Sequence, residues 1–114
     1  MIKYANEMVC RERQIRGGNG LCQTVDLMQP QEMFHCRTFG TIQILQGCSI
    51  GSHEHTHETE YYWILEGEGI VTEADGEKVV SKGDLVITGG GASHAIRNEK
   101  SEPLVFLALI LLEK

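Results

Sequence analysis

An antiparallel, all-β sandwich or barrel is the fold class that this sequence predicts, on three observations. Short runs of branched and aromatic residues bounded by glycine dominate the chain, the pattern of half-buried strands. No stretch carries the sustained apolar repeat of an amphipathic helix, so the crossover helices of a parallel sheet are missing. Thirteen glycines against two prolines supply turns in number.

Taken in order, residues 1–32 come first, with a short helical turn around Glu7 to Arg13. Arg11, Arg13 and Arg16 and the loop Arg16-Gly-Gly-Asn-Gly20 make this stretch an N-terminal arm with one or two short strands. Residues 33–114 hold the barrel. Its strands are Met33–Phe39, Thr41–Gln46, Ser49–His55, Glu60–Glu66, Gly69–Ala74, Glu77–Ser81, Asp84–Thr88, His94–Asn98 and Leu104–Leu112. Gly47, Glu66-Gly67, Asp75-Gly76, Lys82-Gly83, Gly89-Gly90-Gly91 and Ser101-Glu-Pro103 separate them. Asp75-Gly76 is a tight-hairpin signal, since both positions must tolerate positive φ. At 114 residues, with 41% hydrophobic content, arm and barrel make a single domain with one core.

Composition excludes several roles. The net charge is −6, and residues 51–114 carry five Lys or Arg against twelve acids, which would repel nucleic acid. The longest apolar run, Leu104 to Leu112, spans nine residues, about half of the ~20 that a membrane helix needs. Met-Ile-Lys-Tyr-Ala-Asn-Glu lacks the apolar core of a secretory signal, so the cytoplasm is the expected compartment. Cys10, Cys22, Cys36 and Cys48 form no CxxC pair and read as free thiols.

The histidines carry the chemistry. His53-Glu54-His55-Thr56-His57 satisfies the HExxH zinc-protease pattern, but that pattern works only on a helix, and Glu60-Tyr-Tyr-Trp-Ile-Leu-Glu after it is strand-like. On a strand, His53 and His55 present two imidazoles to one side. Glu60 has the opposite parity from His55 and joins them only if a turn at Thr56–Thr59 resets the phase. His94, after the glycine triplet, would supply a fourth group. Three imidazoles and a carboxylate suit Fe, Mn, Ni, Co, Cu or Zn. His57 falls in the turn and reads as a rim residue, and His35, far from the cluster, as structural.

These residues match a family. Gly47-(X)5-His53-X-His55-(X)4-Glu60-(X)6-Gly67 resembles the first cupin motif at every fixed position. Gly83-(X)5-Gly89-X-Gly91-(X)2-His94-(X)3-Asn98 resembles the second, except that Gly89 stands where proline is usual, which should loosen the loop before His94. The chain is thus similar to a small single-domain bacterial cupin of the cupin-2, metal-binding type. That resemblance implies a double-stranded β-helix, or jelly roll, with a divalent metal in the barrel mouth held by His53, His55, Glu60 and His94.

Parity lines the inferred cavity with Tyr62, Ile96 and Ile42 or Ile44, a small and mostly apolar space for a small-molecule ligand. Arg37 and Arg97 are the basic candidates near it, with Arg97 pointing away and both open to a reading as surface charge. A keto acid, oxalate-like anion or enediol would bind through the metal as Lewis acid. Two classes follow. One is a metal-dependent enzyme of dioxygenase, decarboxylase or isomerase type, with Tyr62, His57 or Glu58 carrying protons, and the balance tilts towards it. The other is a non-catalytic module that binds a sugar or small acid. A second ionisable group inside the cavity would mark the enzyme, because acid-base chemistry needs a positioned proton carrier. Leu104–Leu112 is apolar at both parities, so its second face must be covered. A homodimer is expected, with Tyr61 and Trp63 joining the patch.

Overall fold

Each strand is short, and the chain buries its alternating faces by laying two antiparallel sheets against each other. The computed structural model describes residues 1–113. The strands are β1 (Val9–Arg13), β2 (Cys22–Asp26), β3 (Cys36–Ile44), β4 (Ser49–Glu54), β5 (Glu58–Glu66), β6 (Glu68–Glu73), β7 (Gly76–Ser81), β8 (Leu85–Gly89), β9 (Ser93–Arg97) and β10 (Leu104–Leu112). One sheet has the order β1-β2-β3-β10-β5-β8 and the other β4-β9-β6-β7, the jelly roll that the motifs imply. Among the described residues no helix is long and apolar enough to cross a membrane.

Two local expectations are corrected. The helical turn expected around Glu7–Arg13 is a 3-10 turn at Ala5–Glu7 followed by β1. The pairing of Val9 with Asp26 through Arg13 with Cys22 overrides a weak helical preference. Met33–Phe39 and Thr41–Gln46 are one strand, β3, and Gly40 does not break it. A side chain at Gly40 would lie 2.3 Å from the Val25 carbonyl oxygen, so β2 approaches there because nothing projects.

The core lies between the sheets. Ile42, Ile44, Tyr62, Ile64, Phe106 and Ala108 from the larger sheet meet Ile50, Val71 and Ile96 from the smaller. Each large apolar side chain buried this way contributes roughly 1.5–3 kcal/mol. Cys22 is buried here, and burial, with Cys48 nearby, pushes its thiol up to about 11. All four cysteines are free.

The outer face of the larger sheet is also apolar. Register places Ile87, Tyr61, Leu109 and Phe39 in one cross-strand row and Leu85, Trp63, Leu107 and Thr41 in the next. Trp63 is 50% exposed and Ile87 58%. Strands β1 and β2 extend the sheet beyond β3 and leave this face open. Leu112 is exposed at the strand end.

Candidate metal centre

A β-bulge aims the first histidine. Along β4 and β9, Ile50 pairs with Ile96 and His53 with His94, three steps on one strand against two on the other. The extra residue lets Ile50 and His53 face the same interior despite opposite parity. His55 lies just past β4, with its N–H donating to the Ala92 carbonyl (3.0 Å) and its own carbonyl accepting from Gly91 N–H (2.8 Å). Ala92 N–H in turn donates to Gly89 (3.1 Å). The loop expected to be loose is therefore tied into the site.

The chain turns by His57, whose φ of 61° lies in the left-handed region, and β5 begins at Glu58. The turn is shorter than the Thr56–Thr59 expected. Glu60 is phased inward as required, and Glu58, two residues earlier, joins it on the buried side.

Four donor atoms converge. His94 Nε2 lies 3.0 Å from His53 Nε2, 3.1 Å from His55 Nε2 and 3.0 Å from Glu60 Oε1. Glu60 Oε1 is 2.9 Å from His55 Nε2 and 3.6 Å from His53 Nε2. Such separations suit donors around one ion, since bonds of about 2.1 Å at right angles put neighbours about 3 Å apart.

The proton assignments agree. His53 Nδ1 is 2.8 Å from the Gly51 carbonyl, which can only accept, so Nδ1 carries the proton. His55 Nδ1 faces the Glu58 carboxylate, and His94 Nδ1 sits 2.8 Å from Thr88 Oγ1. With each Nδ1 occupied, the Nε2 lone pairs turn to a common point beside a carboxylate, a donor set that suits a cation. His53, His55, Glu60 and His94 thus form a candidate metal-binding cluster.

The carboxylates are tuned by neighbours. Burial works to raise Glu60, but the hydrogen bonds and positive charge that the His53, His55 and His94 rings offer when protonated outweigh it and hold it at about 2. Arg37 donates through Nε and Nη2 to both oxygens of Glu58, each at 2.7 Å. Hydrogen bonding from Arg37, with His55 adding to it against burial, brings Glu58 down to about 2, and the same contact raises Arg37. Glu58, considered above as a proton carrier, is an ionised strut between Arg37 and His55.

A cavity of about 150 Å³ opens over the donors, lined by Arg13, Ile15, Arg16, Arg37, Thr38, Ile42, Ile50, His53, His55, Glu60, Tyr62 and Ile110. Tyr62 and Ile42 are where parity put them. Ile96 and Ile44 are not in this lining; both are packed in the core. The expectation of a mostly apolar space with Arg37 and Arg97 as its basic candidates is corrected, because the arm delivers Arg13 and Arg16. Nothing in the motif spacing signalled them. Arg97 points away, pairing with Glu77 and Glu99 on the surface. Tyr62 stacks on His94 with ring centres 4.9 Å apart, and burial, then the charge of Glu60, raises its phenol well above the ordinary range. His57 is exposed and 3.9 Å from Glu113, outside the cavity lining. His35, also exposed, accepts Leu112 N–H with its carbonyl (2.7 Å).

Known proteins are similar to this chain in sequence and fold. Residues 40–110 match the family described as Cupin domain. An oxalate-binding protein of Thermotoga maritima is 35% identical over 120 residues, covering 97% of this chain and 99% of its own. A gentisate 1,2-dioxygenase of a Ralstonia species is 40% identical over 68 residues, which is 59% of this chain but 19% of that enzyme. Among solved structures, a predicted oxalate decarboxylase from Thermotoga maritima superposes with a TM-score of 0.91 at 32% identity, covering 98% of this chain and 99% of that one.

Proposed function

The chain belongs to the cupin family, and from that premise we propose that it binds a divalent transition metal through His53, His55, Glu60 and His94 and captures a small acid with two oxygen donors, of the oxalate type. The observation that carries this reading is the convergence of four donor atoms at the foot of a small cavity. The likeness along nearly the whole chain to a protein named for binding oxalate supports the ligand class. The metal would supply Lewis acidity and an anchoring charge. Around it, His53, His55 and His94 keep their Nε2 atoms free by donating from Nδ1, and Ile42, Ile50 and Ile110 exclude water from the anion.

Binding rather than turnover is favoured by what else lines the cavity. Besides the donors, its ionisable side chains are Arg13, Arg16, Arg37 and Tyr62. Arginine does not give up a proton at ordinary pH, and Glu58 is held ionised between the Arg37 guanidinium and the His55 Nδ1–H. The second reading, a metal-dependent enzyme, rests on Tyr62, whose buried phenol is the one remaining proton source on the cavity wall.

Elemental analysis of protein purified without added metal, followed by calorimetry with oxalate, tests the proposal. About one transition metal per chain and oxalate binding that vanishes on chelation are expected. Equal binding by the metal-free protein would overturn it. Incubating the metal-loaded protein with oxalate and assaying formate and carbon dioxide separates the two readings, since binding alone leaves the acid intact.

The chain also pairs with a second copy through the outer face of the larger sheet. Tyr61, Trp63, Leu85, Leu107 and Leu109 line one continuous apolar groove there, and β1 and β2 of the arm lie at the opposite edge of the sheet. Leaving such a surface wet would forgo several kcal/mol at ~25 cal/mol per Å². Light scattering after gel filtration should give twice the 12.7 kDa of the chain; a monodisperse single-chain mass would sink the dimer. The four free thiols suit the reducing compartment expected for the protein.

A further inference from the structure

We infer that Arg13 and Arg16 form a clamp for the second carboxylate of a small dicarboxylate whose first end sits on the four-donor centre, so that the N-terminal segment selects dianions over monoanions. This rests on the reading above, that the centre holds a metal and takes a small acid.

Three observations carry it. Both arginines line the same cavity as His53, His55 and Glu60. Among the described residues neither has a carboxylate partner, whereas Arg11 is paired with Asp26, Arg37 with Glu58, and Arg97 with Glu77 and Glu99. A divalent ion against the single carboxylate Glu60 leaves one positive charge, and Arg13 and Arg16 add two, while Arg37 and Glu58 cancel. An excess of that size beside apolar walls calls for an anion of more than one charge, and planar guanidinium forks match carboxylates.

The turn that carries Arg16 is fastened, not draped. Ile15 bridges to Ile50 in parallel, and its carbonyl accepts from Gly18 N–H (3.0 Å) and from Gly51 N–H (3.2 Å). Gln14 Nε2 donates to the Gly18 carbonyl (2.8 Å). The approach is so close that a Cβ on Gly18 would lie 2.2 Å from the Ser49 carbonyl oxygen, and one on Gly51 2.0 Å from that of Arg16. Arg16 itself sits at φ 55°, a region disfavoured for a residue with a side chain and kept only where the surroundings dictate it, as at ligand clamps. Gly51 is also the residue whose carbonyl holds His53 Nδ1, so arm and centre meet at one backbone position.

Calorimetry on the full chain loaded with manganese, using oxalate and oxamate, tests the clamp. Oxamate has the size of oxalate with one carboxylate replaced by a carboxamide. Wild type should prefer oxalate by about tenfold or more. Arg13→Gln and Arg16→Gln should each weaken oxalate by about ten- to a hundredfold, leave oxamate nearly unchanged, and keep one metal per chain by elemental analysis and an unaltered circular dichroism melt. Arg11→Gln, whose arginine is already paired, should keep the preference. If both cavity variants retain the wild-type preference, the clamp is overturned while metal-dependent oxalate binding stands. If metal-loaded wild type binds neither acid, clamp and binding reading fall together.

Discussion

The donors at the floor of the cavity and the arginines at its mouth are held in different ways. His53, His55 and His94 are each fixed at Nδ1, by Gly51, Glu58 and Thr88, and their rings pack edge to face. Arg13 and Arg16 are positioned through the backbone alone, with their charged ends exposed and unpaired among the described residues. A pre-organised floor sets what ion is held with little ordering cost. A mouth of free cations leaves its interaction energy for whatever anion arrives. The lesson is a division of labour between motif and arm, and the following experiments press on it from the strongest expected effect to the weakest.

His55→Ala or His94→Ala should empty the floor, lowering metal affinity by more than the roughly 10–100-fold typical of an outer-sphere partner. The β-sheet circular dichroism should survive because the apolar core lies elsewhere; stoichiometric metal in both variants would mean the centre is misassigned. Glu58→Gln should cost about that 10–100-fold, read by competition with a chelator, since it removes the charge that orients His55 without removing a donor. Acidifying loaded wild type from about pH 7 to about pH 5 should release metal, and oxalate with it, because protons compete for the imidazoles.

Gly18→Ala attacks the mouth alone. Its methyl has no space beside Ser49, so a loss of roughly 1–3 kcal/mol of stability is expected, together with weaker oxalate binding at unchanged metal content. A variant that loses metal instead would show that the arm props the floor. The smallest effect belongs to His57→Ala, which should stay within about 0.5 kcal/mol of wild type and keep its metal. A large loss would mean that the exposed turn between β4 and β5 is part of the centre.

Much of the floor was legible in the sequence, because its information is local. Two-residue alternation put His53 and His55 together, and fixed spacings brought in Glu60 and His94. Even there, the turn closes sooner than expected, and that shift makes Glu58, expected as a proton carrier, a buried brace. The mouth was illegible for a physical reason. Gly18 meets Ser49 and Gly51 meets Arg16 through backbone contacts some thirty residues apart in the chain, with no side-chain pattern to announce them. Glycine also misled: Gly40 read as a strand break, yet it sits inside β3 where a side chain would meet the Val25 carbonyl of β2.

The bulge in β4 has a consequence for how this protein tolerates change in length. Ser52 is a spare residue: without it, regular alternation from Ile50 would still turn His53 and His55 inward, opposite His94. What the shortened chain would forfeit is the backbone irregularity at Gly51, whose N–H donates to the Ile15 carbonyl and whose carbonyl steadies His53. A one-residue deletion at this spot would therefore spare every ligand and every arginine, yet disconnect the two halves of the site from each other.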